Sequence, residues 1–322
     1  MAAISFRNVT KIFPNGKTAV KDFSLDIGDG EFIVLTGPKG SGKATVLRMI
    51  AGMEPVNAGE LKIGGETIRN SSPEKRNMGM IFQHFTLYPG MSVYDNLAFP
   101  MKLKGEAEET IRPVVEKNAK IFKIESLLPC YPRELNDLQK QYVAMARANV
   151  RSPEAFLMLD LLGSLDAPAR KKARERLKSL YDEIQKTLVY VTDDPEEAAL
   201  MGRRTVVMRR GHIVQVGSPK ELKKNPRNFF VAQFMNGPAF GSSEVKIDKG
   251  KTTVEAVGCG FSIDVPPDWV GRLERGGYLG KSVLLGYTTS RSYEMEDGAE
   301  ETRPGTDCEF FFFDKETGEA IL

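Results

Sequence analysis

The chain has 322 residues with 45 basic and 43 acidic side chains, a net charge of +2; it is long enough for a full α/β core plus a smaller domain and lacks the electrostatic footprint of a nucleic-acid binder. His84 and His212 are its only histidines, and Cys130, Cys259 and Cys308 have no metal-ligand spacing, which nearly excludes histidine-based chemistry and reads as reduced thiols in a cytosolic protein. The apolar runs are far shorter than a membrane span, and the start, MAAISFRNVTKIF, carries no apolar signal region, so a soluble chain without a leader is expected.

In chain order, Ser5–Phe13 and Ala19–Ile27 read as strands around a Pro14-Asn15-Gly16 turn. The apolar run Phe32–Thr36 is a strand leading into Gly37-Pro38-Lys39-Gly40-Ser41-Gly42-Lys43-Ala44. This loop fits G-x-x-x-x-G-K-[ST] at every position except the last, where Ala44 replaces Ser or Thr. A helical face of Val46, Leu47, Ile50 and Ala51 follows and stops at Gly52. The glycines let backbone N–H groups turn inward around a polyphosphate, and Lys43 reaches the terminal phosphates. The hydroxyl missing at Ala44 is the group that would hold Mg²⁺.

Gly59–Ile68 reads as a hairpin over Gly64-Gly65, and Met78–Phe82 as a short buried strand ending at Gln83. From about His84 to Asn149 the pattern is helical and charged. Ala155–Leu159 is a buried strand, Pro168–Lys186 a basic amphipathic helix, Leu188–Thr192 a strand and Glu196–Met201 the start of a helix. Thr205–Met208 and His212–Val216 form a strand pair around Arg210-Gly211; Arg203-Arg204 and Arg209-Arg210 read as solvated faces. Strands alternating with helices predict a mostly parallel sheet covered on both faces. Near Asn236-Gly237-Pro238 the texture changes. Thr252–Val257, Phe261–Val265, Ser282–Tyr287 and Glu309–Phe313 read as strands with almost no helical pattern between them. The expected division is 1–236, with a helical region at about 84–149, and a β-rich domain at 237–322.

With the run Met80-Ile81-Phe82-Gln83-His84-Phe85-Thr86-Leu87-Tyr88-Pro89-Gly90-Met91-Ser92-Val93-Tyr94-Asp95-Asn96-Leu97-Ala98-Phe99 beside the phosphate loop, the chain resembles the ATP-binding subunits of ABC transporters. The likeness is to the sugar and glycerol-phosphate importers and extends over essentially the whole length. It implies an α/β P-loop (RecA-like) ABC nucleotide-binding domain with a helical insert, and a C-terminal all-β OB-like (TOBE-type) domain. It also implies ATP and Mg²⁺ as cofactors, a head-to-tail dimer with a second ABC ATPase subunit, identical or different, and membrane permease subunits as partners. The place so implied is the cytoplasm, peripheral on the inner face of the membrane. By the same resemblance Phe13 lies against the adenine ring and Gly37, Pro38, Lys39, Gly40, Ser41, Gly42, Lys43, Ala44 and Thr45 surround the phosphates. Gln83, where the core meets the helical insert, is a nucleotide contact and a weak metal ligand. The aromatic-rich stripe Phe85, Leu87, Tyr88, Met91, Val93, Tyr94 and Phe99 is either packing of the helical region or a groove for a permease helix.

The chain departs from the family pattern at four places. Ala44 is the first. The family's LSGGQ signature, which meets the opposite subunit's nucleotide, here reads Leu135-Asn136-Asp137-Leu138-Gln139; Leu138 adds bulk and Asp137 a carboxylate where a helix N-terminus approaches a phosphate. At the end of Phe156-Leu157-Met158-Leu159-Asp160, ungapped alignment puts Leu159 at the Mg²⁺-associated aspartate and Asp160 at the catalytic glutamate. A one-residue gap instead makes Asp160 the metal-associated aspartate and Leu161 the missing glutamate. The ungapped register keeps Leu165-Asp166-Ala167 and Arg170 aligned. Finally, Asp193 replaces the switch histidine, exchanging a donor for an anion beside the γ-phosphate. Lys39 is an extra cation in the loop, either an offset for lost Mg²⁺ or a solvated lysine. Together these residues imply a subunit that binds ATP, holds Mg²⁺ weakly and hydrolyses poorly or not at all. Two alternatives stay open: a working ATPase using Asp160 as base and Asp193 as sensor, and a non-transport, nucleotide-dependent regulator.

Overall fold

The computed structural model describes residues 3–68, 71–82, 87–163, 165–237, 240–247, 253–256, 262–264, 267–288, 292–294, 300–302 and 309–321. They form two compact units, Met1–Ile213 and Val214–Leu322.

The first unit runs β1 (Ile4–Ile12), β2 (Thr18–Ile27), β3 (Phe32–Thr36), α1 (Lys43–Ala51), β4 (Ala58–Ile63), β5 (Glu66–Thr67), α2 (Pro73–Arg76), β6 (Met78–Phe82), α3 (Val93–Lys102), α4 (Glu108–Phe122), α5 (Asp137–Asn149), β7 (Ala155–Leu159), α6 (Ala167–Ile184), β8 (Thr187–Thr192), α7 (Pro195–Met201), β9 (Arg204–Arg209) and β10 (His212–Gly217). The six-stranded sheet has the order β10-β9-β3-β8-β7-β6. In it β3 pairs in parallel with β8 and β9, and β7 with β6 and β8. Every residue of β3 and β8 is buried, which is why both read as continuous apolar runs without alternation. Thr36 is in register with Thr192, and Leu159 with Val191. The loops leaving β3, β7 and β8 therefore emerge side by side at one carboxyl edge, where open α/β sheets place their ligands. A second sheet, β2-β1-β4-β5, is antiparallel.

Helix α1 carries the phosphate loop on its N-terminus, and its other end is pinned from outside the helix. Gly52 caps it at φ 81°. The Arg76 guanidinium, 8% exposed, donates to Met49 O (2.6 Å), Ile50 O (3.1 Å), Ile68 O (2.8 Å) and Ser71 O (3.0 Å). It thus satisfies the last carbonyls of the helix with a cation at the negative end of its dipole. Arg76→Ala is expected to cost about 2–4 kcal/mol of stability, because buried carbonyls lose charged donors; a denaturant melt checks it, and an unchanged midpoint refutes it.

The second unit holds most of β10, then α8 (Pro219–Lys224), α9 (Phe229–Asn236), β11 (Phe240–Lys246), β12 (Thr253–Ala256), β13 (Ser262–Asp264), α10 (Pro267–Arg275), β14 (Ser282–Thr288), β15 (Ser292–Glu294), β16 (Glu300–Thr302) and β17 (Phe310–Phe313). Five strands form a wholly antiparallel sheet, β13-β12-β11-β14-β17, consistent with the OB-like domain that the family resemblance implied. The compact division falls within β10, so α8 and α9 belong to the second unit although the change of texture lies at 236–237. Helix α10 is a correction to the helix-poor expectation: Gly271 interrupts its pattern, but Leu273 is fully buried and Trp269 packs edge-on against Phe312 at 5.8 Å. Strand β11 also escaped the sequence reading, because Gly241-Ser242-Ser243 dilutes its apolar signal. The strand ends expected at Thr252, Val257, Phe261 and Val265 lie outside the described residues, as do Cys259 and Cys308. Cys130 is a free thiol. Among the described residues, no helix is long and apolar enough to cross a membrane.

Candidate nucleotide-binding site

The carboxyl edge of the parallel sheet opens into a cavity of about 430 Å³. Phe13 and Lys17, from the turn after β1, form one side. Lys39, Gly40, Gly42, Lys43, Ala44 and Thr45 form the floor, and Leu159, Asp160, Thr192 and Asp193 form the far wall. Thus Phe13, the loop cations, Ala44, Thr45, Asp160 and Asp193 come together. Ser41, Gly37 and Pro38 lie behind them and serve Lys43 instead. Gln83 lies outside the described residues.

The loop fits a polyphosphate. No side chain caps the N-terminus of α1, so its first N–H groups are left for an anion. Gly42 (φ 104°) brings the backbone so near β2 that a Cβ would meet Ala19 O at 2.4 Å. At Gly40 (φ 79°) a Cβ would meet no protein atom within 4 Å, so the backbone is bare on a cavity wall. Magnesium fits less well. Ala44 and Leu159 line this wall without a side-chain oxygen. Among the described residues no group of three or more His, Cys, Asp or Glu could hold a metal ion. Thr45, Asp160, Thr192 and Asp193 bring the side-chain oxygens of the cavity.

Lys43 does not point freely into the cavity. Its side chain is 4% exposed and its Nζ lies 2.8 Å from Asp193 Oδ1. The same Nζ donates to Gly37 O (2.7 Å), Pro38 O (2.9 Å) and Ser41 Oγ (3.1 Å). The Asp193 charge, an anion in place of the family's histidine, is paired with Lys43 within the chain.

Asp160 follows the last residue of β7 with φ 46°, a left-handed conformation that Asp tolerates better than most side chains. Its N–H donates to Val191 O at 2.7 Å. Its carboxylate lies against Gly163, where a Cβ would come within 2.7 Å of Oδ1. Burial pushes the Asp160 carboxyl upward, the nearby Asp193 charge adds to this, and Lys39 and Arg170 oppose it. Leu161 and Leu162 turn away and are buried in the core.

Two supports of this wall were not legible in the chain. Gln141 on α5, 2% exposed, donates through Nε2 to Leu161 O at 2.7 Å, tying the loop after β7 to the helix that follows the signature. Glu197 on α7, also 2% exposed, accepts from Tyr190 OH (2.7 Å) and Thr192 Oγ1 (2.6 Å). Asp194 caps α7 by accepting from Glu196 N and Glu197 N. The Asp194-x-x-Glu197 spacing reads as a capping box, but the Glu197 carboxylate turns inward; only the tertiary fold puts Tyr190 and Thr192 beneath it.

The signature residues Leu135, Asn136, Asp137, Leu138 and Gln139 are not part of the cavity. Asn136 caps α5 reciprocally with Gln139: Asn136 Oδ1 accepts from Gln139 N and Gln139 Oε1 from Asn136 N. Asp137 is exposed and pairs with Lys140 at 3.2 Å. Leu135 is buried, and Leu138 packs, partly buried, against the core of the helical region.

A second cleft of about 440 Å³ lies beside β6, rimmed by Tyr88, Phe99 and Arg147. Arg147 stacks over Tyr88 at 5.3 Å, and Tyr88 and Phe99 are 4.6 Å apart. The buried Asn96 holds the preceding loop, accepting from Tyr88 N and donating to the carbonyls of Tyr88, Met91 and Ser92. Of the aromatic stripe, Leu87 and Val93 are core, Tyr94 packs against that core, and Tyr88 and Phe99 face the cleft. Phe85 lies outside the described residues.

The family model described as ABC transporter matches residues 20–160. The chain is 39% identical over 274 residues to the sn-glycerol-3-phosphate import ATP-binding protein UgpC of Yersinia pestis, covering 84% of this chain and 77% of the relative. It belongs to the ABC transporter family. It is also 40% identical to the oligosaccharides import ATP-binding protein MsmX of Bacillus subtilis, over 89% of this chain and 77% of MsmX. Identity to the trehalose import ATP-binding protein SugC of Mycobacterium tuberculosis is 45%, over 74% of this chain and 61% of SugC. Among solved structures, CbiO1 of Clostridium perfringens shares the fold at TM-score 0.65 and 24% identity, covering 69% of this chain and 90% of CbiO1. The ABC cassette MJ0796, solved as a dimer bound to ADP and Pi, has TM-score 0.58 and 28% identity, covering 67% of this chain and 98% of MJ0796. The parallel sheet with its phosphate loop is thus the ABC ATP-binding core.

Proposed function

We propose that this chain is the nucleotide-binding subunit of a carbohydrate-type ABC importer, one that binds ATP with little help from Mg²⁺ and hydrolyses it poorly or not at all. The observation that carries the proposal is the composition of the cavity wall: the phosphate cradle is complete, while Ala44 and Leu159 leave the metal without its oxygens. Phe13 would lie against the adenine, and the amides at the start of α1, with Lys43 and Thr45, would hold the phosphates. ATP supplies a transferable γ-phosphoryl group. Asp160 is the carboxylate on the wall that is not paired with Lys43 and could orient a water, and the ungapped register is supported by Leu161 facing the core. The import ATP-binding relatives support the solute class, and the cleft at Tyr88, Phe99 and Arg147 supports docking of a permease segment at the inner face of the membrane. The dimer partner is a second copy or a paralogous ATPase subunit. The residue boundary between the nucleotide-binding and accessory domains is proposed at 236–237, with α8 and α9 as the connecting segment.

The test is ATP titration of the purified chain in EDTA and in excess Mg²⁺, with phosphate release measured alongside. ATP is expected to bind in EDTA, with an affinity that Mg²⁺ changes only slightly, and without steady phosphate release. Mg²⁺-dependent turnover abolished by Asp160→Ala would instead establish the working-ATPase reading, which the upward shift of Asp160 by burial favours.

A further inference from the structure

We propose that Asp193 is an internal competitor for the nucleotide: its carboxylate occupies the phosphate-loop lysine, and a polyphosphate binds by displacing it. This rests on the reading of the cavity as an ATP site.

The ammonium of Lys43 has three N–H groups. Four acceptors surround it within 3.1 Å: Asp193 Oδ1, Gly37 O, Pro38 O and Ser41 Oγ. Every proton of Lys43 is therefore engaged within the chain. Of the four acceptors, only Asp193 is charged, and it is the only one belonging to a different loop. The two carbonyls and the hydroxyl are neutral and fixed in the phosphate loop itself, so they steer the lysine without neutralising it.

Asp193 is delivered to this place by the fold. Thr192 ends β8 in register with Thr36, the residue before the phosphate loop. The next residues are anchored on the far side, where Asp194 N donates to Thr192 Oγ1 (3.1 Å) and Thr192 Oγ1 donates to the buried Glu197. The Asp193 backbone is thus held between a central strand and a capped helix. Its side chain remains 39% exposed on the cavity wall, so it can leave Lys43 for solvent without disturbing buried groups. Asp160 gives that wall a second carboxylate and already experiences the Asp193 charge.

The consequence concerns affinity. A site that is competent for only part of the time binds with an apparent affinity reduced by that fraction, so a latch closed about nine-tenths of the time weakens binding about tenfold. The effect is confined to ligands that need Lys43. Nucleotide phosphates compete with Asp193; the adenosine moiety does not.

Two measurements on the full chain test the latch. In the first, ATP and adenosine are titrated in EDTA into the natural chain, Asp193→Asn and Asp193→Ser, the serine variant serving if the asparagine variant does not fold. In the second, chemical unfolding without nucleotide is followed for the natural chain, Asp193→Asn, Lys43→Met and the double variant. ATP affinity is expected to rise about tenfold on loss of the carboxylate with adenosine unchanged, and the midpoint shifts of the two single variants are expected to be non-additive. Equal ATP affinity in all chains overturns the latch and leaves the ATP site standing. A gain shared by adenosine overturns it too, and so does a gain accompanied by additive unfolding shifts, which is simple repulsion between Asp193 and phosphate. No ATP binding by any chain at millimolar concentration removes the nucleotide reading and the latch with it.

Discussion

A chain rebuilt with Ala44→Ser, Leu159→Asp, Asp160→Glu and Asp193→His is expected to show a stronger Mg²⁺ dependence of ATP affinity than the natural chain. With Asn136→Ser, Asp137→Gly and Leu138→Gly added, its phosphate release is expected to rise about 10²–10⁴-fold, the usual contribution of a positioned general base. The reasoning is local. Residues 44 and 159 face the same cavity from adjoining elements, so a hydroxyl and a carboxylate there restore oxygen ligands of the kind a small hard cation requires. Glutamate at 160 reaches one methylene further than aspartate from a backbone already fixed by the Val191 carbonyl. Histidine at 193 restores a donor and frees Lys43. The first step reads out as a difference between ATP titrations in EDTA and in Mg²⁺, the second as steady-state phosphate release. The two steps separate because the signature lies outside the cavity and its helix start is closed by the Asn136–Gln139 capping pair. A thermal melt accompanies both, since Leu138 contributes packing to the helical region. Rebuilt chains with the same Mg²⁺ dependence as the natural chain would refute the assignment of residues 44 and 159.

Loss of Glu197 is expected to be among the most destabilising single changes in the first unit. Glu197→Ala removes the acceptor of the Tyr190 and Thr192 hydroxyl protons, both on fully buried residues. At about 1–3 kcal/mol for each of the two buried groups, the loss is about 2–6 kcal/mol, and the Asp193 loop loses its anchor with it. Denaturant unfolding measures the first effect; a loss below about 1 kcal/mol would show that the network carries little. The pH dependence has a definite sign. Burial raises the Glu197 carboxyl above the ordinary glutamate value, although the Thr192 and Tyr190 hydrogen bonds act in the opposite direction. A raised folded-state value means that folding favours the protonated form. That contribution is fully present below the unfolded-state value and is lost as pH rises through the folded-state value. Glu197→Gln cannot titrate, so the stability of the natural chain relative to this variant should fall as pH rises across that interval.

The parallel strands were legible because a central strand of a covered sheet must be apolar on both faces. Phe32–Thr36, Met78–Phe82 and Ala155–Leu159 are found at the boundaries that their composition predicts. The phosphate loop was equally plain, since its glycines and lysine have fixed spacing and lie between a strand and a helix. Helix α10 and strand β11 were not, because glycine and serine within them blur the periodicity that burial would otherwise impose. No motif in the sequence singles out Glu197 or Arg76 as a buried anchor. Their importance comes from what lies opposite: two hydroxyls on β8 in one case, the end of α1 and the Ile68 and Ser71 carbonyls in the other.

The sequence by itself determined the ABC fold of the first unit and the phosphate loop, because spacing and residue type suffice for each. The tertiary structure alone decided what Asp193 does. Read along the chain it is an anion set against a phosphate. In the fold, the parallel register of β3 with β8 brings it 2.8 Å from Lys43, and opposite charges at that distance on a partly buried wall attract.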